Sequence, residues 1–210
     1  MEHGWRLQVI AIIDYGAGNL RSVNNAFVSL GYQPNVTSNP KDVLAADAVV
    51  FPGVGAAAGV MSRLIESGMD DAIRLSISQD KPFFAICIGM QVLLTFTEED
   101  AGCSCLDIIP GSVRRLPQGQ KIPHIGWNQV TQKVIHPLFD GIPDEANFYF
   151  VHSYYPDPDN TELVAGTSEY GITWCSAFIK DNLVATQFHP EKSGDDGLRM
   201  YNNFLKMALQ

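Results

Sequence analysis

Phe83-Phe84-Ala85-Ile86-Cys87-Ile88-Gly89-Met90-Gln91 runs from an unbroken apolar tetrad into a cysteine, then a glycine and helix-forming residues. A strand that is apolar at every position is buried on both faces, as in a parallel sheet covered by helices. The signature recurs upstream. Residues 9–13 precede a helical pattern over 19–30, residues 48–51 precede one over 57–65, and residues 83–86 precede one over 89–96. This alternation reads as βαβ units, and the fold class is α/β with a mostly parallel central sheet flanked by helices. From residue 112 to 187 the pattern changes to strand-like pieces at 113–116, 147–151, 163–166, 173–179 and 183–187, broken by Gly, Pro, Asp and Asn. They read as an antiparallel extension of the same sheet, closed by a helix near 194–209.

No linker, repeat or low-complexity tract interrupts the 210 residues, so the chain is read as one domain over 1–210. A composition of 46% hydrophobic and 18% charged residues is that of a globular protein. The 14 Lys and Arg against 23 Asp and Glu leave a net charge of −9, which repels phosphate backbones and anionic lipid. Neither nucleic acid nor membrane is expected as a partner. The apolar runs at 9–13 and 48–51 stop at Asp14 and Pro52, far short of the roughly 18–20 residues that span a bilayer. The first eight residues lack the basic start and apolar run of a secretory leader. Cys87, Cys103, Cys105 and Cys175 are too few and too irregular for a disulfide framework, which fits the reducing cytoplasm. Cys103 and Cys105 read as unpaired loop thiols, and with no partners at zinc spacing no metal is expected.

Cys87 stands where a strand turns into a helix, and amides at that turn favour thiolate over thiol, preparing the sulfur to attack a carbonyl. A buried core cysteine is the competing reading. Thr186-Gln187-Phe188-His189-Pro190-Glu191-Lys192-Ser193 places a histidine beyond a strand end with a carboxylate two residues on, the spacing of a base and its orienting partner. By itself that segment better suits a turn histidine beside a solvated glutamate. A parallel sheet favours the joint reading, because it brings strand ends to one edge, where α/β sites form. Pro52-Gly53-Val54-Gly55 lies at the same edge; two glycines there permit φ values closed to other residues and could aim an amide at an oxyanion, or could simply make a tight loop. Tyr15-Gly16-Ala17-Gly18-Asn19 suggests a phosphate loop, but Arg21 occupies the place of the third glycine of a dinucleotide site. A tight turn with Asn19 as helix N-cap is the better reading.

Cys87 in its elbow, His189-Pro190-Glu191 and Pro52-Gly53-Val54-Gly55 together resemble the triad-type glutamine amidotransferases, α/β proteins with a Cys-His-Glu site. Ile13-Asp14-Tyr15-Gly16-Ala17-Gly18-Asn19-Leu20, Gly126-Trp127-Asn128, Tyr149-Phe150-Val151-His152-Ser153-Tyr154 and Gln187 to Gly194 are similar to the glutaminase subunits of imidazole glycerol phosphate synthases. The likeness spans nearly the whole chain. His-Pro-Glu is common to all these glutaminases, whereas the opening segment and Gly126-Trp127-Asn128 carry the narrower resemblance.

The resemblance implies an enzyme in which Cys87 forms a γ-glutamyl thioester, His189 is general base and then acid, and Glu191 orients it. It further implies oxyanion donors from Ile88 and from Gly53, Val54 and Gly55, and a glutamine head group held by Gln91, Glu99 and backbone of Ser153 and Tyr154. No cofactor is implied. The implied partner is a (β/α)8-barrel cyclase subunit, bound as a heterodimer, which receives ammonia and makes imidazole glycerol phosphate and aminoimidazole carboxamide ribotide for histidine biosynthesis. Trp127, Asn128, Tyr149 and Lys192 are then candidate interface residues. Two rivals remain at this point: a glutaminase serving another synthase, against which Gly126-Trp127-Asn128 speaks, and a noncatalytic scaffold, supported by Ala85 where the family usually has glycine. Gln91 and Glu99 also suit exposed helix ends, and His152 a structural histidine.

Overall fold

Successive side chains of a strand point to opposite faces, and here both faces are apolar cores. Val49, Phe51, Phe83 and Ala85 enter one core while Ala48, Val50, Phe84 and Ile86 enter the other. The computed structural model describes residues 9–16 and 19–209. The first eight residues, and Ala17 and Gly18 of the glycine loop, lie outside the described residues.

In chain order the elements are β1 (Ile10–Ile13), α1 (Leu20–Ser29), β2 (Asn35–Thr37), α2 (Pro40–Ala45), β3 (Ala48–Phe51), α3 (Ala57–Ser67), α4 (Met69–Ser78), β4 (Phe83–Ile86), α5 (Ile88–Gln91), β5 (Leu94–Thr97), β6 (Cys103–Ser104), β7 (Ile109–Arg115), β8 (His124–Gln132), β9 (Ala146–His152), β10 (Tyr154–Pro158), β11 (Val164–Glu169), β12 (Thr173–Lys180), β13 (Leu183–Thr186) and α6 (Gly194–Ala208). Among the described residues a nine-stranded sheet runs β2-β1-β3-β4-β13-β12-β11-β8-β9. The strands from β2 to β13 in that order are parallel, and those from β12 onward are antiparallel. One core packs β-sheet residues against α3 and α4 through Val60, Leu64 and Ile73; the other packs them against α1 and α6 through Phe27, Tyr201 and Phe204. Each such buried side chain contributes about 1.5–3 kcal/mol. No helix among the described residues is long and apolar enough to cross a membrane.

The α/β architecture is as expected, with three corrections. The helix expected over 89–96 is a single turn, α5; the chain then extends into β5, because Leu94-Thr95-Phe96-Thr97 is rich in β-branched and aromatic residues and pairs with β7. The piece at 113–116 belongs to β7 in a second sheet, β10-β7-β5-β6, rather than to an extension of the first. The piece at 183–187 is β13, the seam of the main sheet, parallel to β4 and antiparallel to β12. The elements β2, α2, α4, β6, β8 and β10 are not among those expected from the sequence, although α4 buries Met69, Ala72, Ile73 and Ser76 at helical spacing; α4 follows α3 directly across Gly68, whose φ of 69° ends one helix and begins the next. Cys103 lies in β6 rather than in a loop, and both it and Cys105 are free thiols.

Candidate active site

Cys87 sits at the end of β4 with φ 56° and ψ −112°, a backbone conformation that costs about 1–3 kcal/mol and persists only where the surroundings impose it. Its amide donates to Thr186 O at 2.7 Å, tying the elbow to the end of β13. Two residues on, a Cβ at Gly89 would lie 2.2 Å from Phe51 O, so only glycine lets the turn pack on β3. Gly89→Ala is therefore expected to destabilise the protein by at least about 2 kcal/mol, seen in calorimetry as a melting temperature lower by roughly 4–8 °C. On the other side of Cys87 the Ala85 methyl is fully buried in the apolar core, in register with Phe51 and Ala185, so alanine fits there.

His189 follows β13 and is fully buried. Its amide donates to Tyr149 O at 2.9 Å, and its carbonyl accepts from Ser193 Oγ at 2.6 Å. Nδ1 lies 2.7 Å from Glu191 Oε1 and therefore carries the proton, leaving Nε2 as the second ring nitrogen. Nε2 is buried with no aligned hydrogen bond among the described residues, on the side of the ring that feels Cys87. Burial works against the imidazolium, but Cys87 and Glu191 on either side outweigh it and lift the pKa of His189 to about 10. Burial likewise opposes the Glu191 carboxylate; the His189 contact, its own backbone and Asn19 reverse that and hold its pKa below the usual carboxylate range. Asn19 Nδ2 donates to Glu191 Oε1 at 2.5 Å, and the Tyr201 hydroxyl donates to Oε2 at 3.1 Å.

A cavity of about 270 Å³ opens at this edge. Cys87, His189, Val54, Gly55, Ile88, Gln91, Glu99, Ser153 and Tyr154 all line it, as do Pro123, Val151 and His152. Gly53 and Glu191 do not line it. A Cβ at Gly53 would lie 2.1 Å from Ile88 Cγ2 and 2.5 Å from the Tyr15 hydroxyl, so Gly53 is needed for space. Of the two loop glycines only Gly55, at φ 111°, uses a conformation closed to other residues, which corrects the expectation that both do. The Val54 N–H donates to the Tyr15 hydroxyl at 3.1 Å, and that hydroxyl lies 3.2 Å from Val54 O. Gln91 is 4% exposed, which corrects its reading as an exposed helix end; it donates to Tyr154 O at 2.9 Å and to Gln187 Oε1 at 2.8 Å. Glu99 is half-buried, accepts from the Ala57 amide at 2.8 Å at the start of α3, and has its carboxyl pKa raised by burial. His152 both lines the cavity and is internally satisfied: Nδ1 lies 2.9 Å from Tyr154 O, Nε2 lies 3.0 Å from His124 Nδ1, and burial lowers its pKa to about 3.

Trp127 and Tyr149 are paired across β8 and β9 with ring centroids 6.1 Å apart, and Lys192 Nζ lies 5.7 Å from the Tyr149 ring. Trp127 is 58% exposed. Asn128 does not join this cluster, because its amide is turned to Glu169 O at 2.9 Å. Sequence reasoning missed the site roles of Tyr15, Gln187 and Tyr201 and mistook Asn19. Asn19 occupies the N-cap position of α1, but with φ 77° its side chain makes no cap bond and reaches Glu191 instead.

The family described as glutamine amidotransferase class-I matches residues 11–208. The imidazole glycerol phosphate synthase subunit HisH of Dehalococcoides mccartyi strain CBDB1 is 54% identical over 201 residues, 96% of this chain and 98% of that protein. The subunit of the same name from Methanothermobacter thermautotrophicus is 49% identical over 199 residues, 95% of this chain and 98% of that one. Among solved structures, a glutamine amidotransferase from Thermotoga maritima superposes with a TM-score of 0.67 at 18% identity, covering 97% of this chain and 84% of the other, a likeness of fold. With the family matched over nearly the whole length and relatives this similar, the chain belongs to the class-I glutamine amidotransferases, among the HisH subunits.

Proposed function

We propose that this chain is the glutaminase subunit of a cytoplasmic imidazole glycerol phosphate synthase, hydrolysing glutamine and passing the ammonia to a barrel-type cyclase in a heterodimer that serves histidine biosynthesis. The observation that carries the reading is the meeting of a strained Cys87 elbow with a buried His189-Glu191 pair at one cavity. His189 Nε2 takes the thiol proton, and the Cys87 sulfur attacks the carboxamide carbon of glutamine. The tetrahedral intermediate collapses as His189 returns the proton to the departing nitrogen, leaving a γ-glutamyl thioester and ammonia. Water, deprotonated by the same nitrogen, attacks the thioester, and the sulfur leaves as glutamate forms. Glu191 keeps Nδ1 protonated throughout and balances the imidazolium charge. Gln91, Glu99 and the backbone of Ser153 and Tyr154 bound the part of the cavity assigned to the amino-acid head group. Trp127, Tyr149 and Lys192 form the surface assigned to the cyclase, with Asn128 beside them; through the Tyr149 carbonyl this surface touches the His189 backbone.

Ammonia released to water is protonated and lost as a nucleophile, so docking against the acceptor suits the chemistry. The test is glutamate release by this chain alone, with its cyclase, and with cyclase carrying its ribotide ligand. A strong rise in the last condition is expected; no glutamate in any of the three would defeat the reading. The oxyanion is assigned to amides of Ile88 and of the Gly53-Val54-Gly55 loop, each well-placed donor being worth about 3–4 kcal/mol. Because the Val54 N–H is engaged by Tyr15, stimulation requires that peptide to turn, a shift between two backbone states. Gly53→Ala, which collides with Ile88, and Gly55→Ala, which strains φ, should alter ligand stimulation more than cyclase binding. Full stimulation in both variants, with complex formation titrated alongside, would remove the loop switch.

A further inference from the structure

Gln187 is fully buried, two residues before His189, and its backbone is pinned to β12 by its N–H donating to Ser176 O at 2.9 Å. Its carboxamide belongs to a chain of groups that can be wired in one direction only. The Tyr154 carbonyl can only accept, so Gln91 presents its nitrogen there, at 2.9 Å. The second hydrogen of that nitrogen meets Gln187 at 2.8 Å, so the atom of Gln187 facing it is the oxygen. The other end of the Gln187 carboxamide is then the nitrogen, and it lies 3.5 Å from Cys87 Sγ.

We propose that Gln187 is a positioning residue for the nucleophile, donating a side-chain N–H to the Cys87 sulfur in an orientation imposed by Gln91 and the Tyr154 carbonyl. The inference deepens the glutaminase reading and rests on it for the role of Cys87. A donor is needed at this place because α5 is one turn long and contributes little of the field that a full helix would bring to a thiolate at its start. An N–H aimed at sulfur in a site shielded from water favours the charged form of the thiol before attack and again when the sulfur leaves the thioester. Through Gln91, which lines the cavity, the occupant of the head-group end and the orientation of the donor are mechanically linked.

The test is the pH dependence of Cys87 alkylation by iodoacetamide in the full chain, followed on the Cys87 peptide by mass spectrometry. Gln187→Leu keeps the volume and removes the donor; its alkylation midpoint should rise by about one pH unit, with kcat for glutamine hydrolysis in the cyclase complex falling roughly tenfold and KM little changed. Gln91→Leu leaves Gln187 in place but free to flip. It should raise the midpoint by a smaller amount and add nothing in the Gln187→Leu background, since both act through one contact. An unmoved midpoint in Gln187→Leu, or in Gln91→Leu should the first variant not fold, overturns the proposal, as does full additivity. Alkylation requires neither glutamine nor cyclase, so that failure is distinct from an absence of glutamate release by the wild-type complex, which would overturn the glutaminase reading instead.

Discussion

Replacing Cys87 by alanine is expected to lower glutamine hydrolysis by at least about 10⁴-fold, the scale on which removal of a nucleophile acts in triad hydrolases. No other thiol can take its place, since Cys103, Cys105 and Cys175 do not line the cavity. Alanine inherits the same φ of 56° as the cysteine, so the elbow bears no new backbone strain. The side chain is 7% exposed and the lost sulfur leaves one Gln187 N–H unpaired, a cost of about 1–3 kcal/mol that a protein of this size tolerates. Cyclase binding should persist, because the surface proposed for it, Trp127, Tyr149 and Lys192, is untouched. Supplied with ammonia at a pH high enough to keep it as the free base, the complex of the variant should still form product. Hydrolysis within tenfold of wild type would remove Cys87 from its assigned role, and failure with ammonia would assign it a structural one.

His189→Asn is expected to cost about 10³-fold or more, because among the described residues lining the cavity the other histidine, His152, is held neutral and is engaged at both nitrogens. Glu191→Gln should be milder, about 10–10²-fold, since a thiol nucleophile depends less on its orienting group than on the base itself. The two variants separate by pH as well. Removing the Glu191 carboxylate withdraws one of the charges that lift His189 to a pKa of about 10, so the imidazolium loses its proton at lower pH and the alkaline limb of kcat/KM should move downward. Equal and negligible effects from both substitutions, or an unmoved alkaline limb in Glu191→Gln, would contradict the triad.

What could be read from the chain follows from how local each signal is. The Cys87 elbow and His189-Pro190-Glu191 are contiguous in sequence, and a parallel sheet brings both strand ends to one edge, so their meeting could be argued before any coordinates. The support of Glu191 could not. Asn19 is 172 residues away, and an asparagine before a helix has a local explanation as N-cap that outweighs a long-range one. Gly53 and Gly55 look alike in sequence, yet one is required by the Ile88 side chain and the other by its own φ. The helical pattern expected over 89–96 gives way at Leu94-Thr95-Phe96-Thr97, where β-branched and aromatic residues pair with β7. Likewise 113–116 was legible as a strand, but which sheet a strand joins is a property of its partners.

The seam at β13 makes the site a sensor of the closure of the sheet. Until β13 enters between β4 and β12, the strand that ends in Cys87 has an open edge, and the residue at its sulfur lies 100 positions further along the chain. Closing so long a loop is entropically costly and slow compared with forming the local hairpins around it. The same insertion that seals the open edge also delivers Gln187, His189 and Glu191 to the thiol. A partly assembled sheet therefore holds Cys87 apart from the residues proposed to activate it, and a chain shortened before residue 183 would expose an aggregation-prone edge beside that thiol. Chemical competence and the burial of the most vulnerable strand edge arrive in one step.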